Sequence, residues 1–357
     1  MIDNYAVVDL FCGVGGLTHG FVQEGFNVVA GIDFDKTCKY AYEKNNKTTF
    51  LHKDISKLSV EELKALFPEG KKKILIGCAP CQPYSIFNRN QPKPETALPD
   101  ADDPRWLLLY SFSKLIVELK PEIVSMENVP LLKNFKGGTV FTDFVNRLKE
   151  NGYQVTFEIH DAQNFGVPQR RKRLVLLASL GEKMKMIPAT HSENKVTVKD
   201  AIGHLPVIAD GEVNIKDPLH RSRKLTEITK KRIQATREGG SWKDWDEELK
   251  LECHKNEGGK LYGSVYGRMT WSNVAPTMTT YCTGINNGRF GHPTQDRAIS
   301  LREAALLQSF PESYDFIDES QPMSVTNLAK HIGNAVPVGL GVAVAKSIKN
   351  YIDQFDN

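Results

Sequence analysis

Apolar positions in the first half of the chain come in short runs separated by stretches of helical spacing. The runs YAVVDLF (5–11), NVVAGID (27–33), ILIGCAP (74–80), EIVSME (122–127), QVTFEIHDA (154–162) and RLVLLASL (173–180) read as strands, most of them buried. Between them, GLTHGFVQEGF, KTCKYAYEKNN, WLLLYSFSKLIVEL and FTDFVNRLKENG repeat their apolar residues at helical spacing, with Gly25 and Gly152 placed to end two of them. The segment KDI (53–55) ends a further short strand. Strands alternating with helices predict an α/β fold, a mostly parallel, doubly wound sheet covered on both faces.

The pattern breaks near Lys185. From there to about Arg297 the chain is polar, Gly-rich and weakly periodic, as a separate loop-rich domain would be. Helical spacing returns at SLREAALLQSF, where Ser300 and Glu303 form a capping-box pattern, and HIGNAVPVGLGVAVAKSIKNYI ends in a last helix. NQPKPETALPDADDP (90–104) is Pro-rich and acidic and reads as a loop.

Composition narrows the function classes only slightly. The 357 residues carry a formal charge of +3, so a basic surface for nucleic acid has to be local. No apolar run approaches the length of a membrane span, and MIDNYAVVDLF lacks a signal pattern, which predicts a cytoplasmic protein. The six scattered cysteines are not a secreted disulfide framework.

Candidate chemistry gathers at strand ends. DLFCGVGGLTHG (9–20) sets Gly13, Gly15 and Gly16 between a strand and a helix, where a ligand can approach the backbone closely. The dinucleotide fingerprint needs a third glycine where Thr18 stands, so that pattern fails. Asp33 follows about 20 residues on, placed for two ribose hydroxyls. A nucleoside cofactor without pyrophosphate, S-adenosylmethionine foremost, fits better than a dinucleotide. Asp54 is a candidate adenine contact. GCAPCQPYS (77–85) admits three readings: a redox pair, half of a metal site, or one nucleophile with a bystander. No partner pair for a metal is apparent; Cys78 reads most simply as a small core residue and Cys81 as the exposed thiol. MENVP (126–130) delivers Glu127 to the same sheet edge, and FGVPQRRKRLVLLA sets Arg171 and Arg173 two apart at a strand start, on one face by alternation.

In order and spacing, DLFCGVGGLTHGF, GCAPCQPYS, MENVP, QRRKR, RMTWSNVAPTMTT, SLREAALLQSFP and HIGNAVP resemble the cytosine-5 DNA methyltransferases of bacterial or phage type. The likeness runs over nearly the whole chain except about 190–265. It implies a Rossmann-like catalytic domain at 1–186, a smaller, loop-rich target recognition domain at 187–297, and a segment at 298–357 returning to the first. It also implies covalent catalysis with Cys81 as nucleophile, Glu127 on the N3 and N4 edge of cytosine, and Arg171 and Arg173 around O2. Phe11, Gly13, Gly15, Gly16, Leu17, Asp33, Asp54, Ile55, Pro80, Leu108 and Asn334 would then hold S-adenosylmethionine, which leaves as S-adenosylhomocysteine, with no metal. Gln82, Ser85, Arg221, Arg223 and Arg268 would contact DNA, with Lys224, Lys230, Lys231 and Arg232 as further phosphate candidates. The expected partners are double-stranded DNA with a specific target and a separate restriction endonuclease; the expected state is a monomer, away from membranes. A tRNA cytosine-5 methyltransferase and a non-catalytic DNA-binding relative are the alternatives.

Overall fold

A computed structural model describes residues 2–80, 103–256 and 263–355. The chain forms two compact units, one of 1–161, 172–189 and 338–357, the other of 162–171 and 190–337.

The first unit is built on seven strands: β1 (Tyr5–Leu10), β2 (Val28–Asp33), β3 (Thr49–His52), β4 (Lys72–Gly77), β5 (Ile123–Asn128), β6 (Gln154–Asp161) and β7 (Lys172–Ser179). They lie in the order β3-β2-β1-β4-β5-β7-β6. The first five pair in parallel. β7 runs antiparallel to both β5 and β6, which leaves the sheet mostly parallel, as expected. The reason for the reversal is the connection: a parallel neighbour needs a long crossover, usually a helix. Residues 162–171 between β6 and β7 carry only a short 3-10 turn, Ala162–Phe165.

Alternation along the strands sets two faces. Ala6, Val8, Leu10, Ala30, Ile32, Leu75, Val124, Met126, Leu174, Leu176 and Ala178 enter one apolar core with side chains of α4 (Leu108–Leu119) and α5 (Thr139–Glu150). The intervening positions point the other way. Asp9, Asp33, Glu127 and Arg173 are all intervening positions, and Cys78, just past β4, continues the same alternation. Period-2 geometry thus delivers the polar residues of separate strands to one face at one sheet edge, because the start of antiparallel β7 meets the carboxyl ends of β1, β2, β4 and β5.

The last helix, Val338–Phe355, belongs to this unit and packs on α1 (Gly16–Gln23). The approach is backbone to backbone: a Cβ on Gly20 would lie 2.4 Å from the carbonyl carbon of Gly341. Val325–Phe355 holds a window apolar enough for a membrane span, which the sequence pattern had not suggested. Of that window 67% is buried, so its apolar side chains belong to the protein interior.

In the second unit, strand pairing among the described residues is confined to isolated bridges. Short helices, among them Glu227–Gln234, Leu301–Leu307 and Val325–Asn334, are fastened by buried polar groups. Arg297, with no exposed surface, places two guanidinium nitrogens 2.7 Å from the two carboxylate oxygens of Glu303. Glu303 also closes the capping box with Ser300 that the sequence pattern predicts. Burial alone would raise its pKa, but hydrogen bonding and charge from Arg297 outweigh this and hold it low.

Candidate active site

The turn after β1 is held in unusual backbone geometry. Phe11, Gly13 and Gly15 have φ of 62°, 51° and 86°. Phe11 pays for a left-handed conformation that a bulky residue rarely adopts, and its ring packs edge-on against Phe112 at 6.2 Å. A Cβ on Gly13 would meet nothing within 4 Å, so open space lies before the turn. Asp33, at the end of β2, accepts hydrogen bonds from Gly13 N and Asp35 N, both at 2.8 Å. That fixes the carboxylate against the glycine turn.

Beneath the turn, Thr18 explains why the dinucleotide fingerprint fails. Its hydroxyl donates to Asp9 Oδ2 at 2.6 Å and lies 3.2 Å from the Tyr42 hydroxyl. Asp9 is buried and its Oδ1 has no hydrogen-bond partner among the described residues. Burial pushes its pKa from 3.8 up to about 7; the Thr18 hydrogen bond opposes the rise and the charge of Asp33 adds to it. The Cys12 thiol is pushed well up, chiefly by burial and then by Asp9 and Asp33.

The other predicted pocket residues of this unit differ in exposure. Gly16, Leu17 and Ile55 are buried; Asp54, Pro80 and Leu108 are half-buried. Asp54 caps the 3-10 turn Ile55–Lys57, accepting from the Ser56 amide and hydroxyl at 2.9 and 2.7 Å. Phe34, absent from the sequence-based candidates, is 72% exposed beside Asp33. Its signal was available: an aromatic residue directly after a strand-end carboxylate. The arrangement fits S-adenosylmethionine, with a carboxylate for the ribose, an open backbone turn, an exposed aromatic face and acidic groups for a cationic ligand.

At the ends of β4 and β5, register places Gly77 opposite Met126, and Cys78 and Glu127 come next on each strand. Glu127 is 3% exposed. Cys78 Sγ donates to Glu127 Oε2 at 2.8 Å. Arg173 Nε lies 2.9 Å from Oε1, an ionic contact off the line of the N–H bond, so among the described residues Oε1 accepts no aligned hydrogen bond. Asn128 Nδ2 donates to Ala79 O at 3.1 Å and ties the turn to β5. Cys78 is therefore no inert core residue; it is half-buried and engages the carboxylate. Cys81, Gln82, Ser85 and most of the 90–104 loop lie outside the described residues.

Arg171 and Arg173 have different surroundings. In the second unit, the Arg171 guanidinium is buried and donates to the carbonyls of Met278, Gly333 and Ala335 at 2.9 to 3.2 Å. Gln169 accepts from Met278 N at 2.7 Å and donates to Gln308 Oε1 at 2.8 Å, and Gln308 donates to Ile332 O at 2.6 Å. These side chains fasten the TMTT and GNAVP segments of that unit. Asn334 ends the helix Val325–Asn334 and is exposed.

Of the expected DNA contacts, Arg223 is exposed, as are Lys224 and Lys231. Arg221 is half-buried and its guanidinium lies 3.6 Å from Met323 Sδ. Arg268 turns inward: it is 4% exposed and donates to the carbonyls of Thr236, His292, Gln295 and Ile233, besides pairing with Asp296. Its guanidinium is engaged inside the unit, so an interior fastening takes the place of the expected phosphate contact. Arg232 is buried too, its guanidinium 5.6 and 5.7 Å from the ring centres of Trp245 and Tyr266.

Comparison with known proteins gives this geometry its context. The family described as C-5 cytosine-specific DNA methylase matches residues 5–350. "Type II methylase M.HgiDII" of Herpetosiphon aurantiacus is 52% identical over 349 residues, covering 98% of this chain and 96% of the relative. "Type II methyltransferase M1.HphI" of Haemophilus parahaemolyticus is 28% identical, covering 96% and 86%. Among solved structures, a DNA modification methyltransferase encoded within an E. coli prophage superposes with a TM-score of 0.75 at 22% identity, covering 98% of this chain and 99% of that one. The S. pombe Dnmt2 methyltransferase does so at 0.60 and 17%, covering 97% and 99%. These two share the fold. With a family match running from the first strand into the last helix, and with a strand-end carboxylate, a glycine turn and an arginine–glutamate pair on one sheet edge, the chain belongs to the C-5 cytosine-specific DNA methylases.

Proposed function

We propose that the protein transfers a methyl group from S-adenosylmethionine to carbon 5 of a specific cytosine in duplex DNA, as the modification enzyme of a restriction-modification system. The observation that carries the residue assignment is Glu127, a buried carboxylate at a strand end with Arg173 on one oxygen and a thiol on the other. Carbon 5 of cytosine is a weak nucleophile. In this reading Glu127, in its protonated form, gives a proton to N3 while the Cys81 thiolate adds to carbon 6, forming an S–C bond and moving the ring electrons toward carbon 5. When bound, S-adenosylmethionine supplies an electrophilic methyl group for that carbon. Loss of the carbon 5 proton to a base, departure of the Cys81 thiolate from carbon 6 and return of the N3 proton to Glu127 then restore the neutral aromatic ring.

Arg173 holds Glu127 and adds positive charge near O2. Asp33 and Phe34 receive the ribose and adenine of the cofactor, and the Phe11–Gly16 turn admits its backbone approach. The target base has to leave the duplex to reach this edge. The second unit, in this reading, chooses the sequence, with Arg223, Lys224 and Lys231 on phosphates. The chemistry needs no metal and suits a cytoplasmic monomer. Duplex DNA is favoured over tRNA as substrate because the relative at 52% identity is described as a Type II methylase.

Bisulfite sequencing of DNA from cells expressing the chain tests the reading. One recurring sequence should resist conversion at one cytosine, and Cys81→Ser should leave every cytosine convertible. Full conversion with the wild-type chain, or protection that survives Cys81→Ser, would remove it.

A further inference from the structure

Cys78 is the residue whose placement the reaction above leaves unexplained. It stands on the short link between β4 and the predicted nucleophile, and its thiol meets Glu127 Oε2 at 2.8 Å. The contact is not accidental to a loose turn. The Cys78 amide donates to Leu10 O at 3.3 Å, and Asn128 clasps the next carbonyl, Ala79 O, at 3.1 Å. Two consecutive residues of the link, Cys78 and Ala79, are therefore fixed to neighbouring strands.

A carboxyl group that gives a proton to N3 of a base and accepts from its N4 amino group has to hold its two oxygens in a fixed plane. Each oxygen has two lone pairs. Among the described residues, Arg173 from β7 contacts Oε1 and Cys78 from the end of β4 contacts Oε2; these are the titratable or charged groups that meet the carboxylate from its neighbouring strands. The two contacts fix the carboxyl plane. An arginine on Oε1 alone would let the plane rotate about the last side-chain bond.

We propose that Cys78 is a positioning residue for the reaction: its thiol proton orients Glu127 toward the cytosine edge, and the residue acts through Glu127 without touching the base. The proposal rests on the assignment of Glu127 above. Cys78 is thus distinguished from Cys81 by role, the first held as a neutral donor and the second needed as a thiolate.

The test is single-turnover transfer of tritiated methyl groups to unmethylated plasmid DNA by wild type, Cys78→Ala, Cys78→Ser, Glu127→Gln and the Cys78→Ala/Glu127→Gln double variant. Calorimetric cofactor binding and thermal melting serve as checks of folding. Cys78→Ala should lower turnover about tenfold, the size of one hydrogen bond to a charged group. Its KM for DNA and its cofactor affinity should stay within about twofold. Cys78→Ser, which keeps a donor of similar shape, should recover most of the rate. On the Glu127→Gln background, Cys78→Ala should cost almost nothing further. Wild-type turnover in Cys78→Ala, equal losses in Ala and Ser, or losses that simply multiply in the double variant would each overturn the proposal. Glu127→Gln at full rate would instead overturn the assignment of Glu127 on which it rests.

Discussion

The two units are held together by different physics, and Arg171 and Arg173 mark the change within three residues of chain. Arg173 begins a strand of the sheet unit, and its partner is a carboxylate brought to it by strand register. Arg171 ends a loop of the other unit, and its partners are backbone carbonyls from two distant segments. The sheet unit places its chemistry by regular alternation over an apolar core. The second unit has little regular structure among its described residues and uses buried arginine, glutamate and glutamine side chains as fasteners. Identical residue types, two positions apart, thus pair with a strand-end carboxylate in one case and fasten backbone segments in the other.

The sharpest way to break the comparison is to remove a fastener. Glu303→Ala leaves Arg297 buried without its carboxylate and should destabilise the second unit by about 3–5 kcal/mol. Urea unfolding should show the loss, and an unchanged midpoint would mean that the polar network is ornamental. A smaller effect is expected where the sheet unit meets its cofactor. Asp33→Ala should weaken S-adenosylmethionine binding by roughly 1.5–3 kcal/mol, the range for hydrogen bonds to a charged group, with little change in stability. Calorimetry giving wild-type affinity would contradict the pocket assignment.

A further test separates the units by pH. The folded Asp9 carboxyl titrates near 7 and its ordinary value is 3.8, so the folded state keeps a proton the unfolded chain has released. Its contribution is complete below 3.8 and declines as pH rises to about 7, at up to about 1.4 kcal/mol per pH unit. Glu303, held low, acts in the opposite sense: its contribution is present above its unfolded value and lost as pH falls. Asp9→Asn should flatten the decline between pH 4 and 7. Urea midpoints across that range that keep the wild-type slope would place the effect elsewhere.

The same division governs what the sequence made legible. Strands β1, β2, β4 and β5 and the helices α4 and α5 follow from apolar spacing, because each buries one face against a shared core. The antiparallel turn of β7 was not legible, since it depends on the short 162–171 link, and local spacing does not say whether a strand returns or crosses over. Glu127 and Arg173 were found because they stand at strand ends. The inward turn of Arg268 was missed because an arginine in a polar segment carries no local sign of where its guanidinium goes. Cys78 was assigned to the core for a related reason. Its partner is 49 residues away, and only the pairing of β4 with β5 brings the two together.

The contact of Gly20 with Gly341 carries a consequence for the order of synthesis. Helix α1 leads directly out of the glycine turn, yet the helix it packs on is encoded near the other end of the chain. At about 5–20 residues per second, the wait between the two is on the order of 15 s to a minute. Through that interval the nascent turn lacks its supporting helix, while the whole second unit emerges from the ribosome. The sheet unit therefore reaches its finished form only after the whole second unit has been made.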